Sequence, residues 1–339
     1  MHIPDPEIID PQSVPSLRWG VIGPGRIADS FVQSCIKHTG QKFVAVASRT
    51  AEKADQFANK FNISRVHKSY EELVSSDELD AVYISSWQKD HFEHAMLALN
   101  AGKHVLVEKP ITYLPDEAEQ IFSLAQQKNL LAMEAMWTRY LPQSTIIRKL
   151  INEGELGKPE LFTASFCVDN RHIPRLWQKG GGGIIYDMGI YTIAMAQQFM
   201  GNPVNIIATG KVNHDELDEE THSVFQYENG ARAQISSSGI ATLPTTASCS
   251  FEKGVVVIDE PFFVPSGIRV RDKSLYFKQQ SWRDQSDIQG HEGLCYQAVW
   301  FAKFVQEGRV ESEVHTASDT IANIETALEI SNQVGAKAL

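Results

Sequence analysis

Cysteine is scarce in this chain of 339 residues. The four cysteines, Cys35, Cys167, Cys249 and Cys295, are too far apart in sequence to form a Cys-x-x-Cys metal or redox pair. They are also too few for the disulfide framework of a small secreted domain. A reducing compartment is the expected environment.

The sequence also lacks a long apolar run and an excess of basic residues. No stretch reaches the ~18 apolar residues of a membrane-spanning helix, and residues 1–17 have neither the basic start nor the apolar run of a signal peptide. The 42 acidic residues outnumber the 31 basic ones, and the formal net charge of -11 repels nucleic acids and anionic lipids. We therefore expect a cytoplasmic protein that binds neither nucleic acid nor membrane.

From residue 17 onward, short β-rich apolar runs alternate with amphipathic helical ones, which is typical of parallel strands joined by crossover helices. Expected strands are 18–22, 42–48, 65–67, 81–85, 104–108 and 130–134; expected helices are 26–38, 51–61, 90–101 and 115–128. Ser69, followed by two glutamates, indicates a short capped helix. This pattern predicts an α/β Rossmann fold with a doubly wound parallel sheet.

After about residue 136, strands follow one another through turns. Asn229-Gly230 separates the runs 223–227 and 231–238, which is a strong hairpin signal. Further strands are expected at 160–167, 204–211, 246–252 and 255–259, and helices at 142–152, 187–200, 294–307 and 317–334. The second half therefore reads as an α+β domain with a mostly antiparallel open sheet. We expect an N-terminal extension at 1–16, a dinucleotide-binding domain at 17–136 and a substrate-binding and oligomerisation domain at 137–339.

A glycine-rich turn follows the first strand and opens the first helix. It reads Gly23-Pro24-Gly25-Arg26-Ile27-Ala28 and matches the G-x-G-x-x-A pattern. The glycines permit a tight turn and close backbone approach to a pyrophosphate at the helix N-terminus. This motif predicts dinucleotide binding through Gly23, Gly25, Arg26 and Ile27.

The second strand ends at Ser48-Arg49-Thr50, where an NAD-selective site usually places an acidic residue. A guanidinium at this position can pair with the 2′-phosphate of NADP, and Ser48, Thr50 and Lys53 can donate further hydrogen bonds. Arg49 could instead be a solvated loop charge. We expect NADP, with NAD possible.

Two further motifs contain groups for proton transfer. Glu108-Lys109-Pro110 closes the fifth strand at the carboxyl edge of the sheet, where such proteins bind ligands. Asp187 and Tyr191 are four residues apart near a helix start, which places them on one face. Lysine, carboxylate and phenol together suit acid/base chemistry at a substrate oxygen. The alternatives are a strand-end ion pair for Lys109, a helix cap for Asp187 and a core position for Tyr191.

Taken in order, the glycine turn, Glu108-Lys109-Pro110 and Asp187-x-Gly189-x-Tyr191 resemble the glucose-fructose oxidoreductase, inositol dehydrogenase and MocA family. Most members have His at the position of Tyr191. The tyrosine, together with the run from Glu134 to Pro142, resembles the dimeric dihydrodiol dehydrogenase and NADP-linked D-xylose dehydrogenase branch. The resemblance covers nearly the whole chain from about Leu17.

This resemblance implies that Lys109 is the catalytic lysine, Tyr191 the acid/base and Asp187 the carboxylate that orients substrate. It places Ser86 and His91 near the nicotinamide, although Trp87 departs from the family's proline and His91 could be a packing residue. Glu108 would also line the region near the nicotinamide. Trp137 and Arg139 match positions that line the cofactor cleft, although Trp137 could only seal a domain interface.

Other polar groups are candidates for substrate contacts or metal ligands. Arg171 and Trp177 precede the glycine run at 180–183 and are candidates for binding substrate hydroxyls, or they belong to a solvated loop. The acidic run near His214 reads as a solvated loop, and His172 and His222 have no partners at ligand spacing. No metal site is predicted.

The expected function is that of an NADP-dependent dehydrogenase or reductase acting on CH–OH groups. Hydride would pass between nicotinamide and a hydroxyl carbon of a sugar, polyol or cyclic diol. The alternatives are a cofactor-dependent glycosidase and a non-catalytic NADP or sugar sensor on the same scaffold. The uncovered sheet face predicts a homodimer or a higher homo-oligomer.

Overall fold

The computed structural model describes residues 2–337, which divide into two compact units. The first unit comprises residues 9–140 and 288–321, and the second comprises residues 2–8, 141–287 and 322–337. Since residues 288–321 return to the first unit, the units are not consecutive segments of the chain. Among residues 2–337, no helix combines the length and apolar character needed to cross a lipid bilayer.

The first unit contains a parallel sheet of six strands in the order β3-β2-β1-β4-β5-β6. The strands are β1 Arg18–Ile22, β2 Lys42–Ala47, β3 Arg65–His67, β4 Ala81–Ile84, β5 His104–Val107 and β6 Ala132–Glu134. This order reverses next to β1, so the carboxyl ends of β1 and β4 flank a crevice in which α/β folds bind ligands.

Helices of the first unit connect these strands and cover the sheet. They are α1 Arg26–His38, α2 Ala51–Phe61, α3 Tyr70–Val74, α4 His91–Asn100, α5 Pro115–Lys128 and, from the returning segment, α8 Leu294–Gln306. The fully buried Trp19 of β1 contacts Phe31 of α1 and Phe301 of α8, with ring centroids 6.1 and 4.8 Å apart. The core of this unit thus depends on the returning segment.

The second unit contains an eight-stranded sheet in the order β14-β13-β12-β11-β7-β10-β9-β8. Its strands are β7 Pro159–Cys167, β8 Asn205–Val212, β9 Asp218–Gln226, β10 Arg232–Ser238, β11 Ala247–Phe251, β12 Gly254–Ile258, β13 Gly267–Asp272 and β14 Gln279–Arg283. Only the pair β7–β10 is parallel in this described sheet; the other pairs are antiparallel. The predicted fold class is confirmed.

The second-unit helices are α6 Pro142–Glu153 and α7 Ile190–Met200. Helix α9 Ala317–Val334 begins in the first unit and ends in the second. On β10, Ala233 and Ile235 are buried whereas Arg232 and Gln234 are exposed. The predicted alternation is present, and one face of the strand lies against the core.

Three local features differ from the sequence prediction. Strand β9 begins at Asp218, whereas the prediction began it at Ser223 and placed Asp218 to Glu220 in a solvated loop. Helix α7 begins at Ile190, and residues Ile185–Gly189 before it form a π-helical turn, whereas the prediction began a helix at Asp187. Strands β13 and β14 were not predicted, because β13 alternates arginine with apolar residues over only six positions and β14 is polar and mostly exposed. Strand β14 is the edge of the sheet, and edge strands carry a weak hydrophobic signal because one side of their backbone and much of their surface contact water.

Candidate active site

The glycine-rich turn lies where the carboxyl ends of β1 and β4 are adjacent. Gly23 has φ of 80°, and a Cβ on this residue would lie 2.5 Å from the Cα of Ser86. Only glycine therefore fits there. Helix α1 starts at Arg26 with no side-chain cap from the described residues, so its first backbone N–H groups can bind an anion such as a pyrophosphate.

The end of β2 presents the polar residues that were predicted to read the adenosine end of a dinucleotide. Arg49 and Thr50 are exposed and Ser48 is partly exposed. The Arg49 Nη1 atom lies 3.2 Å from Asp90 Oδ2. Lys53 lines a cavity of 220 Å³ together with Pro24 and Gly25 of the glycine turn. Arg49 and Lys53 thus provide positive charge at this edge of the sheet.

The segment after β4 contains Ser86, Trp87 and His91. His91 is completely buried, with Nδ1 at 2.9 Å from the Pro110 carbonyl oxygen and Nε2 at 3.1 Å from that of Ser86. Burial lowers the pKa of His91 to about 4. This histidine joins the segments after β4 and β5. Trp87 is 36% exposed, with the Lys89 ammonium above its ring.

Lys109 is partly exposed and directly follows the buried Glu108 at the end of β5. The Tyr83 hydroxyl donates a 2.5 Å hydrogen bond to Glu108 Oε1, and burial raises the pKa of Glu108 to about 7. The Ile111 N–H donates to Glu134 Oε1 at 3.0 Å, and Glu134 Oε2 lies 2.8 Å from the Nε2 atom of His315. These buried contacts fix the backbone on either side of Lys109.

Trp137 and Arg139 are both buried in the first unit. The Trp137 ring stacks on His291 with centroids 5.7 Å apart. Burial lowers the pKa of His291, and the positive charges of Arg26 and Lys109 lower it further. The Arg139 guanidinium donates to the Val314 carbonyl and lies 4.0 Å from Asp319. The contacts given for Arg139 thus tie it to the returning segment.

In the second unit, Asp187 lies in the π-helical turn and Tyr191 in the first turn of α7. Tyr191 is 8% exposed, and its ring lies beside Phe166 and Phe263 at centroid distances of 5.7 and 6.0 Å. Arg175 Nη2 donates to Asp187 Oδ1 at 3.2 Å. The arrangement combines a carboxylate, a phenol and two apolar rings.

The buried Asp218 anchors this turn from β9. Its Oδ2 accepts the N–H of Ile185 at 2.8 Å, and a Cβ on Gly183 would lie 2.1 Å from its Oδ1. Burial raises the pKa of Asp218 to about 7, and hydrogen bonds from backbone N–H groups, that of Ile184 among them, oppose the shift. Asp218 therefore holds the backbone from which Asp187 projects.

Arg171 and Trp177, two of the four residues predicted to contact substrate, have local partners. Arg171 is exposed and pairs with Asp169, two residues away. The Trp177 indole N–H donates to the Asn170 carbonyl at 2.9 Å. In residues 2–337, no three His, Cys, Asp or Glu side chains are grouped so as to hold a metal ion.

Four residues next to the predicted ones were missed. Each contacts a residue that is distant in sequence, or makes a contact that depends on a side-chain direction that no local pattern reveals. Only Asp90 had a usable signal, because it directly precedes the predicted His91 in the segment after β4. The missed residues and their neighbours are Asp90 with Arg49, Arg175 with Asp187, Asp218 with Ile185 and His291 with Trp137.

Sequence comparison gives two matches to family profiles. Residues 17–136 match an oxidoreductase family with an NAD-binding Rossmann fold, and residues 145–257 match the GFO/IDH/MocA C-terminal domain. The chain is 30% identical to a mouse trans-1,2-dihydrobenzene-1,2-diol dehydrogenase over 305 residues, which cover 88% of this chain and 91% of that protein.

Solved structures share the fold. A 3-ketoreductase from Actinomadura kijaniata, solved with NADP and TDP-benzene, is similar with a TM-score of 0.79 and 25% identity, over 95% of this chain and 98% of that one. A levoglucosan dehydrogenase solved with NADH and levoglucosan gives a TM-score of 0.82 at 19% identity, over 94% and 98% of the two chains.

The fold and the residues at its sheet edge define a dinucleotide-dependent oxidoreductase. The chain belongs to the GFO/IDH/MocA oxidoreductase family. The predicted resemblance is confirmed.

Proposed function

We propose that this protein is an NADP-linked dehydrogenase or reductase for a sugar, polyol or cyclic diol. The observation that carries the proposal is the succession of Asp187 and Tyr191 along one helical segment, beside Phe166 and Phe263. A carboxylate can hold a substrate hydroxyl, and a phenol can exchange the proton of the neighbouring one. The apolar rings offer a surface to the carbon skeleton.

The relatives support this substrate class. The mouse protein is named for a cyclic diol, trans-1,2-dihydrobenzene-1,2-diol, and a structure with the same fold holds the anhydrosugar levoglucosan. Both molecules carry hydroxyl groups on a ring. We extend this substrate class to the present chain because members of its family share nicotinamide-dependent chemistry at hydroxyl groups.

The preference for NADP rests on Arg49 and Lys53. A guanidinium at the end of β2 matches a 2′-phosphate, with which it can form paired charge-assisted hydrogen bonds. The uncapped start of α1 and the glycine turn would hold the pyrophosphate. Ser86, Trp87 and Trp137 would contact the nicotinamide half, with Arg26, Ile27, Ser48 and Thr50 completing the site.

When bound, the nicotinamide supplies the acceptor or donor of hydride. In the oxidative direction, Tyr191 in its ionised form would take the proton of the reacting hydroxyl. The Lys109 ammonium would hydrogen-bond the same oxygen, and its positive charge would favour the ionised form of Tyr191. Asp187 accepts a hydrogen bond from the adjacent hydroxyl and so selects the carbon that reacts. Reduction reverses these steps.

We also propose that the protein forms a homodimer through the open sheet face of the second unit. On that sheet Leu161 and Ile207 are 43% and 52% exposed, and the turn between β13 and β14 carries Leu275 and Tyr276 at 86% and 90% exposure. Exposed apolar groups of this kind mark interaction surfaces. Light scattering at micromolar concentration should give twice the monomer mass, and a monomer would refute the assignment.

The activity is tested by following NADPH formation with panels of polyols, aldoses and cyclic diols at several pH values. Turnover of at least one class supports the proposal. An absence of turnover with every class, combined with tight NADP binding, would indicate a sensor. Cleavage of glycosides without added oxidant would indicate a glycosidase.

A further inference from the structure

The residue opposite Arg49 bears directly on the choice between the two dinucleotides. Arg49 Nη1 lies 3.2 Å from Asp90 Oδ2, with the arginine side chain 63% exposed and the aspartate side chain 20% exposed. A mostly exposed guanidinium can turn toward a ligand, whereas the aspartate is more firmly placed. The positive charge proposed to read the 2′-phosphate is therefore already paired with a carboxylate.

Asp90 is held in place by its backbone. It is the last residue of a short 3₁₀ turn, Gln88–Asp90, and its N–H donates to the Trp87 carbonyl at 2.8 Å. The Oδ2 atom is buried and receives no hydrogen bond from the part of the chain that the structure describes. Its interaction with Arg49 thus depends on charge rather than on an aligned hydrogen bond.

The neighbouring His94 does not add a second positive charge to this pair near neutral pH. Burial lowers the pKa of the adjacent His94 and outweighs the negative charges of Asp90 and Glu93, which raise it. The His94 ring is fixed by Ser86 Oγ, 2.8 Å from Nδ1, and by the Tyr70 ring at a centroid distance of 4.5 Å. The group of Arg49, Asp90 and neutral His94 therefore has no net charge, whereas a phosphate is bound best by a net positive group.

We propose that Asp90 is a specificity-determining residue that competes with the 2′-phosphate of NADP for Arg49 and thereby keeps the site open to NAD. The proposal rests on the cofactor assignment made for Arg49 above. Binding of NADP must separate Arg49 from Asp90 and bring a phosphate dianion near a fixed carboxylate. Binding of NAD requires neither change.

The experiment is isothermal titration of NADP and NAD into the wild-type protein, Asp90→Asn, Arg49→Ala and the double variant. Asp90→Asn should bind NADP roughly fivefold more tightly, the effect of removing an exposed ion pair worth about 1 kcal/mol. Its affinity for NAD should stay within about twofold of wild type, because binding of NAD does not require Arg49 to separate from Asp90. Glu93→Gln is the matched control, because it removes one negative charge from an exposed position three residues later, in the first turn of α4.

Arg49→Ala separates this proposal from the cofactor assignment. A loss of NADP affinity in that variant supports the role of Arg49, whatever Asp90 does. In the Arg49→Ala background, Asp90→Asn should no longer increase the affinity for NADP. Unchanged or weaker NADP binding in Asp90→Asn would overturn the competition, as would an equal gain for both dinucleotides or a gain that persists without Arg49.

Discussion

The Asp218 carboxylate accepts the backbone N–H of Ile185 at the first residue of the π-helical turn that contains Asp187. A buried carboxylate on β9 thus supports a segment about thirty residues earlier in sequence. Such turns occur often at functional sites, and this one has a specific partner that fixes it. The contact also makes the second unit sensitive to pH.

We predict that stability falls as pH rises from about 4 to about 7, the interval between the pKa of Asp218 in an unfolded chain and its raised native value. Burial raises the pKa of Asp218 to about 7, against about 3.9 in an unfolded chain. Between these values the native state keeps a proton that the unfolded state has lost. The stabilisation is complete below about pH 4 and is lost as pH rises through about 7, at up to about 1.4 kcal/mol per pH unit.

Circular dichroism melts at several pH values provide the measurement. Asp218→Asn cannot ionise and should show a smaller drop in melting temperature between pH 5 and 8 than wild type. Glu155→Gln, at an exposed position of the same unit, should keep the wild-type slope. An unchanged slope in Asp218→Asn would contradict the assignment.

Gly183→Ala should destabilise the second unit and reduce turnover. Gly183 has φ of 72°, and the new Cβ would lie 2.1 Å from Asp218 Oδ1. Gly154→Ala is the matched control, because Gly154 has φ of 68° with nothing within 4 Å of the added Cβ. The control should lower the free energy of unfolding by only roughly 1–2 kcal/mol, the cost of placing alanine in the left-handed backbone region. Equal losses in urea unfolding would show that the contact with Asp218 has no effect.

Arg49→Ala should weaken NADP binding by roughly ten- to a hundredfold and leave NAD nearly unchanged. The reason is the loss of a charge-assisted pair worth about 1.5–3 kcal/mol. Lys60→Ala is a suitable control, since Lys60 also lines the cavity beside the glycine turn but pairs with Asp29. Similar losses for both dinucleotides would mean that Arg49 does not read the phosphate.

Lys109→Met and Tyr191→Phe should each reduce turnover by about two to four powers of ten, the usual effect of a positioned acid/base group. The double variant should lose much less than the product of the two, because both groups serve one proton. Cofactor affinity, measured by titration, should persist. The pH–rate profile of Lys109→Met should lose its basic limb or shift it upward. Near wild-type turnover in Tyr191→Phe would remove Tyr191 from the mechanism.

The sequence predicted features that depend on local pattern. The bounds of β1, β3, α1, α2, α5 and α9 agree with the structure, because strand composition, glycine turns and caps act over a few residues. The second sheet was found except for β13 and β14. The glycine turn and the cluster around Glu108 lie at the predicted edge because parallel strands bring their carboxyl ends together.

Contacts between distant segments could not be predicted in this way. Nothing near Asp187 in sequence indicates that Asp218 supports its turn, and nothing near Trp137 indicates His291. Arg171 and Arg175 lie in the same loop, and the sequence does not reveal which of the two side chains reaches Asp187. The structure directs Arg171 to Asp169 and Arg175 to Asp187. The catalytic roles of Lys109, Tyr191 and Asp187 stay predictions until the variants are measured.

The return of residues 288–321 to the first unit limits how this protein can be divided. A gene fragment that stops at residue 140 would encode the glycine turn and all six parallel strands but not α8. Such a fragment would leave Trp19 without Phe301, exposing aromatic surface to water and favouring aggregation. A single recombination event near residue 140 would instead combine the sheet of one protein with the returning segment of the other. Any chimera needs at least two junctions, one near residue 140 and one near residue 288.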